Sequence, residues 1–263
     1  MSEQEFQVVR VLGFGIALSL AVTLQALSPH ARLRGSLRVN ATFWILDVIV
    51  VGLVCGACAC TAARWATANQ IGIFHHLVAP PWLIALITIF TLDLVSYLWH
   101  RANHVIPLLW RFHQVHHSDS AFTVSTALRF HPGELLLSLP LRLAAVVALG
   151  AAPATVVTFE ILFTIANLLE HGDIDLPRRI EPAVGRVCIT PSLHRLHHSR
   201  DWARLNTNFG TIFAVWDRLF ATYHHSSSDL QIETGLPDRP GDPSWRQAVL
   251  LPLRSAGTVR RFG

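Results

Sequence analysis

Lysine is absent: all 21 basic side chains in this chain of 263 residues are arginine. That removes Schiff-base chemistry, which needs a lysine amine. Charge of either sign is sparse. Asp, Glu and Arg make up only 14% of the residues, whereas apolar residues make up 51%; a soluble domain carries about 25% charged residues. The net charge is +4, and the arginines are scattered rather than gathered on aromatic-rich stretches, so nucleic acid is not expected as a partner. Only four cysteines are present, and Cys55, Cys58 and Cys60 all sit in one apolar run, VGLVCGACAC, with Cys188 alone. A disulfide framework is excluded, and small residues packing between membrane helices explain the run better than a zinc or redox pair.

A chain this apolar has more nonpolar surface than one soluble core can hide, and its long apolar runs place it in a bilayer. A membrane helix needs about 20 mostly apolar residues. Val8 to Leu27, Ala41 to Ala62 (with Asp47 inside) and Pro81 to Trp99 qualify. A fourth stretch, Leu135 to Leu169, is broken by Gly150 and Pro153, and predicts a hairpin of two short helices that dips in and returns. Arg142 and Glu160 inside it are expected to pair with each other or to face a polar cavity. The polar regions Trp99 to Glu134 and Glu170 onward then share one membrane face. The loop Ser28 to Asn40 holds Arg32, Arg34 and Arg38, against Arg64 alone in the next loop. By the positive-inside rule the first loop and both polar regions are cytoplasmic and the N-terminus is outside. No internal repeat or low-complexity tract is visible, and no appended soluble domain is expected.

The 15 histidines carry the main signal. His100 and His104 are spaced i, i+4. His113, His116 and His117 are spaced i, i+3, i+4, and His194, His197 and His198 repeat that pattern. On a helix such positions share a face, so each set is expected to aim its imidazoles at one point. A lone histidine is ordinarily a surface or satisfied core residue, and that reading applies to His30, His75, His76, His224 and His225. Eight clustered imidazoles on one side of a membrane are different, because burying them without partners is costly. Metal binding follows, and eight ligands exceed what one ion needs, which implies two. No His-Glu-x-x-His motif and no Glu-x-x-His pair occurs, against the zincin and ferritin-like patterns. Imidazole suits Zn, Cu, Fe and Ni alike, so the residues alone leave the metal open. Among the acids, Asp93, Glu170, Asp173, Asp175 and Asp201 are candidates to accept N–H bonds from the ligands. Asp93 leads, because it shares a helix face with Tyr97 and His100.

The motifs read Asp93-Leu-Val-Ser-Tyr-Leu-Trp-His-Arg-Ala-Asn-His104, Pro107-Leu-Leu-Trp-Arg-Phe-His-Gln-Val-His-His-Ser118, Arg129-Phe-His-Pro132 and Thr190-Pro-Ser-Leu-His-Arg-Leu-His-His-Ser199. They are followed by Asn208-Phe-Gly210, Trp216-Asp-Arg-Leu-Phe-Ala-Thr-Tyr223 and Thr234-Gly-Leu-Pro237. Together they resemble the fatty acid hydroxylase superfamily, specifically bacterial members of its sterol desaturase type, over most of the chain. The resemblance implies two non-haem iron ions, molecular oxygen, an external electron-transfer protein or reductase, and a lipid substrate that is hydroxylated or desaturated. Mapped onto this chain it implies the metal ligands His100, His104, His113, His116, His117, His171, His194, His197 and His198. Asn167 stands where some relatives carry a further histidine, and Arg204 stands where many carry an acid before the Asn-Phe-Gly segment. His131 lies in a family motif, which leaves open whether it is a ligand.

The expected architecture is therefore an all-α integral membrane protein: a helical membrane bundle with a cytoplasmic-face, histidine-rich di-metal cap. Residues 1–80 form N-terminal membrane helices and loops. Residues 81–225 form the catalytic domain with its membrane hairpin at 135–169, and residues 226–263 form a tail. The location implied is a bacterial inner membrane. Two rivals stand beside the oxygenase: a zinc-dependent lipid hydrolase, in which a metal-bound water attacks an ester, and a non-catalytic metal-binding membrane protein.

Overall fold

A computed structural model describes residues 3–28, 36–55, 58–225, 232–239 and 241–254. His30, Arg32, Arg34 and residues 226–231, 240 and 255–263 of the expected tail lie outside the described residues, as do the side chains of Cys55 and Cys58. Seven helices build the body: α1 (Glu3–Leu27), α2 (Leu37–Cys55), α3 (Cys58–Ala68), α4 (Pro81–Val105), α5 (Pro107–His117), α6 (Pro132–Leu149) and α7 (Pro153–Glu170). Shorter helices follow: α8 (Glu181–Val184), α9 (Pro191–His197), α10 (Trp202–Leu205), α11 (Val215–Leu219) and α12 (Trp245–Val249). Among the described residues there is no strand, only isolated bridges at Cys188–Phe213 and Ser199–Thr234.

Proline sets most of the helix starts. α4, α5, α6, α7 and α9 each carry Pro within their first two positions, where its missing N–H costs nothing and its fixed φ suits the helix. Among the described residues, four helices are long and apolar enough to cross a membrane: Gln4–Leu27, Pro81–Val105, Pro132–Leu149 and Pro153–Glu170. The last two are the expected hairpin. Its turn is closed by Gly150, left-handed at φ 67°, whose N–H reaches the carbonyls of Val146 and Val147; a Cβ there would come within 2.9 Å of the Ile71 carbonyl. Each arm has 18 residues, about 27 Å at 1.5 Å per residue, close to a hydrocarbon core of roughly 30 Å. The expected second span, Ala41 to Ala62, falls on two helices, α2 and α3, on either side of residues 56–57, which are not described.

α7 packs on α1 through Ala17, Ala21, Ile165 and Leu168, and the turn between α6 and α7 packs on α3 and α4 through Ala63, Leu92, Val146, Ala151 and Val156. Small residues at these contacts let helix backbones approach closely. Glu160 also gains a partner that was not expected. It is held by Arg10 of α1 at 2.6–2.7 Å, and Arg142 is also close enough to be attracted to its charge. The reason is packing: α1 is the helix that covers the Glu160 side of α7. Arg142 also lies over the Phe163 ring, 5.7 Å from its centroid. Beyond the spans, a second core of Phe43, Trp110, Val115, Leu205, Leu236, Ala248 and Leu251 ties α2, α5, α10 and α12 together. This cap covers the histidine-bearing end of the bundle.

Candidate metal centre

The chain breaks between α4 and α5 because Ile106 precedes Pro107 and is pushed to an extended conformation (φ −98°, ψ 113°). α5 therefore turns back, and its histidines meet those at the end of α4. Ring centroids of His104 lie 5.0 Å from His113 and 4.8 Å from His117. α9 is only seven residues long, started by Thr190, whose hydroxyl accepts the Leu193 N–H, and by Pro191. It brings His197 within 4.5 Å of His100 and 4.7 Å of His104, centroid to centroid. His171 caps the C-terminal end of α7.

The fold gathers all nine implied residues, in two groups. His100, His104, His113, His117 and His197 form one; His116, His171, His194 and His198 form the other. Within each group one ligand atom per residue lies within 4.8 Å of every other. The triplets therefore do not converge on single points, as their spacing suggested. In each His-x-x-His-His run the i and i+4 residues enter one group and the i+3 residue enters the other. On a helix, i+4 sits about 40° from i on one side and i+3 about 60° on the other. The pair and the singleton thus look toward neighbouring centres.

Hydrogen bonds fix the tautomers. Nδ1 of His100 donates to the Phe209 carbonyl (2.8 Å), of His197 to Thr207 (2.7 Å), of His116 to Arg129 (3.2 Å) and of His171 to Asn167 (2.7 Å). Nδ1 of His113 meets Glu134 Oε1 at 2.9 Å, and the same oxygen accepts from Asn103 Nδ2 at 2.9 Å. A carbonyl can only accept, so Nε2 of His100, His197, His116 and His171 must carry a lone pair in the neutral ring. Burial favours the neutral ring. It pushes His116, His117, His194 and His198 well below the usual histidine range, with neighbouring imidazoles adding to the effect. Burial likewise pushes His171 down to about 4 and His197 to about 3.

The result is a set of lone pairs facing one another. His171 Nε2 stands 2.9 Å from His116 Nε2, which also carries a lone pair, and 3.0 Å from His194 Nε2, whose tautomer no carbonyl fixes. Among the described residues, Nε2 of His100, His113 and His197 and both ring nitrogens of His117 and His198 have no hydrogen-bond partner. Buried acceptors aimed at one another repel unless a cation lies between them. Nitrogens on opposite sides of one ion at about 2.0–2.1 Å would be about 4.2 Å apart, near the spread of each group. The residues fit two imidazole-bound metal ions, and neutral imidazole is the form that binds.

The other candidates fall outside the groups. His131 is the N-cap of α6: its Nδ1 accepts from Gly133 N (3.0 Å) and its Nε2 reaches the Val249 carbonyl (3.3 Å). His75, His76, His224 and His225 join neither group. Asp93, expected to bond to a ligand, instead accepts from Ile212 N (3.3 Å), Phe213 N (3.2 Å) and Trp216 Nε1 (2.8 Å). Its face of α4 is nonetheless one functional stripe. Tyr97 Oη meets Thr222 Oγ1 at 2.9 Å and His100 holds the Phe209 carbonyl, so all three grip the segment 209–222. Asp173 and Asp175 pair with Arg195 at 2.9 and 3.4 Å, and Asp201 caps α10. Glu170 comes no closer than 3.9 Å to Nδ1 of His171 and of His194.

Three supporting residues were not singled out from sequence. Glu134, in the first turn of α6, orients His113; an acid just after the His-Pro motif at the mouth of an apolar helix was the available signal. Asp217 is buried and accepts from Phe209 N, Gly210 N and Thr222 Oγ1 at 2.7–2.8 Å, fixing the carbonyl that His100 uses. Asn208, left-handed at φ 54°, binds the Leu193 and His224 carbonyls and the His224 N–H; Asn tolerates that conformation better than most residues. Asp217 and Asn208 give the Trp216-Asp and Asn208-Phe-Gly motifs a physical role: together they set the loop whose carbonyls orient His100 and His197.

The sequence model described as fatty acid hydroxylase matches residues 85–222, more than half of the chain. The chain belongs to the fatty acid hydroxylase family. It is 35% identical over 140 residues to the ornithine lipid hydroxylase OlsE of Rhizobium tropici, covering 52% of this chain and 41% of that protein. It is 33% identical over 161 residues to the alkylglycerol monooxygenase of Danio rerio, covering 57% and 33%. It is 26% identical over 159 residues to human cholesterol 25-hydroxylase, covering 59% and 53%. The chain thus spans between a third and about half of the length of these relatives. No solved structure matches it.

Proposed function

We propose that this protein is a membrane-bound di-iron oxygenase that hydroxylates or desaturates a lipid, drawing electrons from an external electron-transfer protein or reductase. The observation that carries this reading is the pair of buried imidazole groups whose unprotonated nitrogens face one another. The metal ligands proposed are His100, His104, His113, His117 and His197 at one ion, and His116, His171, His194 and His198 at the other. Bound iron supplies oxygen activation and oxidation of a C–H bond. Hydroxylation balances as C–H plus O2, two electrons and two protons giving C–OH plus water, so the reductant is required. The protein's own work is to keep nine imidazoles neutral and aimed. The carbonyls of Thr207, Phe209, Arg129 and Asn167 and the carboxylate of Glu134 hold Nδ1 protons away from the ions. Trp110, Phe122, Phe130 and Phe209 pack against the imidazoles and exclude water. Family membership favours oxidation over ester hydrolysis, and the names of the relatives all concern lipids. Arg38, in the first turn of α2, supports a cytoplasmic histidine-bearing face, in a bacterial inner membrane.

The test is a metal count and an isotope experiment. Protein purified in mild detergent and reconstituted with ferrous iron should hold about two irons per chain, and host lipid should gain one oxygen atom from labelled dioxygen or lose two hydrogens. Oxygen entering from labelled water, with product formed anaerobically, would assign the chain to hydrolysis at zinc instead.

A further inference from the structure

Asp93 lies 12 residues after Pro81 in the 25-residue α4. At 1.5 Å per residue that is about 18 Å into a span whose hydrocarbon surroundings are roughly 30 Å thick. The partners of Asp93 are not other spans but Ile212, Phe213 and Trp216, from the chain beyond α9. Phe213 also stacks on Phe90, one turn deeper, with centroids 4.4 Å apart and planes 4° from parallel. A segment of the cap is therefore bonded to the middle of a membrane-crossing helix. Its inward face is polar and fully engaged by Asp93, Tyr97 and Asp217. Its outward face is apolar: Val215, Leu219 and Phe220 are exposed, Leu219 at 67%. Val187, also exposed, adjoins it, since Ala214 N donates to the Val187 carbonyl at 2.9 Å. The one charged group on the outward side of α11, Arg218, turns back to the Gly185 carbonyl (3.0 Å) and lies 3.8 Å from the Tyr223 ring centroid. Scattered exposed apolar residues need no explanation, but a contiguous set at the depth of a span's midpoint does. In water this face would be a liability; beside lipid its side chains meet their own kind, and its backbone is satisfied by Asp93, Asp217 and the 187–189 chain, as irregular backbone at membrane depth must be.

We infer that the segment 209–220 is sunk into the bilayer, with Val215, Leu219, Phe220 and Val187 in contact with acyl chains of the leaflet on the histidine side. The consequence is close access. Phe220 stacks on Tyr97 (5.3 Å), Tyr97 meets Phe209 edge-on (6.3 Å), and Phe209 lies 5.1 Å from His104 and 5.5 Å from His197. Two rings in series, Tyr97 and Phe209, separate the lipid-facing Phe220 from the five-histidine group.

The experiment needs no activity and no substitution. The full chain is reconstituted in phosphatidylcholine–phosphatidylglycerol vesicles that contain a phosphatidylcholine with a photoreactive diazirine at the acyl-chain end, irradiated, digested and mapped by mass spectrometry. Adducts on residues 215–220 should match, within about twofold, those on the exposed α1 positions Val11 and Ile16, while residues 202–205 of α10 stay at background. Labelling of α1 with 215–220 at background overturns the inference, and so does equal labelling of 202–205, since depth would then not explain it. Either result leaves the di-iron reading untouched, because the metal count is made separately.

Discussion

The five-histidine and four-histidine groups are built differently. The first draws four of its members from two long helices, α4 and α5, whose break at Ile106-Pro107 sets them face to face. The second collects His116 from α5, His171 from the cap of α7, and His194 and His198 from a helix of seven residues and its cap. Their carboxylates differ as well. Glu134 bonds directly to His113 at 2.9 Å, whereas Glu170 stands 3.9 Å from two Nδ1 atoms and bonds to neither. One centre is held by helix geometry and a committed acid; the other by caps and turns.

The largest expected effect comes from exchanging the singletons. His197 is the only α9 member of the first group and His116 the only α5 member of the second. His197→Ala should lower bound iron from about two per chain toward one by emptying the first group, and His116→Ala by emptying the second. Each should abolish lipid oxidation, whereas His224→Ala should change neither. If the two variants lose the same iron, as judged by identical residual Mössbauer spectra, the division into two centres fails.

Acid should separate metal-free from loaded protein next. In the unfolded chain a histidine takes up its proton near 6.5, but folded His171 resists to about 4 and His197 to about 3, both through burial. Below 6.5 the unfolded state binds more protons, so stability present above that pH is lost as pH falls toward those values. Between pH 6.5 and 5.5 each such histidine costs about 1 kcal/mol. The Tm of the metal-free protein should therefore be clearly lower at pH 5.5 than at 7.5. A Tm that stays level or rises on acidification would mean that the imidazoles are not buried neutral.

The difference between the groups also explains what could be read in the sequence. Periodicity places His100 with His104, and each His-x-x-His-His run on one helical face, because those relations lie within single helices. The hairpin was visible because Gly150 and Pro153 interrupt an apolar run. Which group each histidine joins was not visible: it depends on the angle between α5 and α9, set by packing across about 80 residues of chain. The partners of Asp93 were missed for the same reason. Its helix face was read correctly, but the 209–222 loop that fills that face is distant in sequence and has no periodicity. Glu134 is hard to read from sequence because an acid in the first turn of a helix is ordinarily explained by the helix dipole.

The two carboxylates offer a smaller and sharper contrast. Glu134→Gln keeps the shape and still accepts from Asn103, but it weakens the hold on the His113 Nδ1 proton. Loss of such a partner ordinarily costs about 10–100-fold in metal affinity, measurable by competition with a chelator. Glu170→Gln removes no hydrogen bond to a ligand and should cost under about threefold. Equal effects would show that proximity of charge, rather than the bond, is what matters at these sites.

The smallest effect tests the boundary between ligand and scaffold. His131 sits in a family motif, yet its Nδ1 accepts the Gly133 N–H as the cap of α6 and its Nε2 points at Val249. A cap of this kind contributes about 0.5–2 kcal/mol, and Asn can replace it because its side-chain oxygen accepts from the same N–H. His131→Ala should therefore lower the Tm modestly and leave about two irons bound, and His131→Asn should recover most of the loss. The Nε2 contact, at 3.3 Å to a carbonyl near the end of the described chain, is the weaker of the two, so its absence in the Asn variant should matter little. Loss of iron in both variants, with the Tm of the metal-free protein unchanged, would make His131 a ligand and show that the α6 cap rearranges when metal binds.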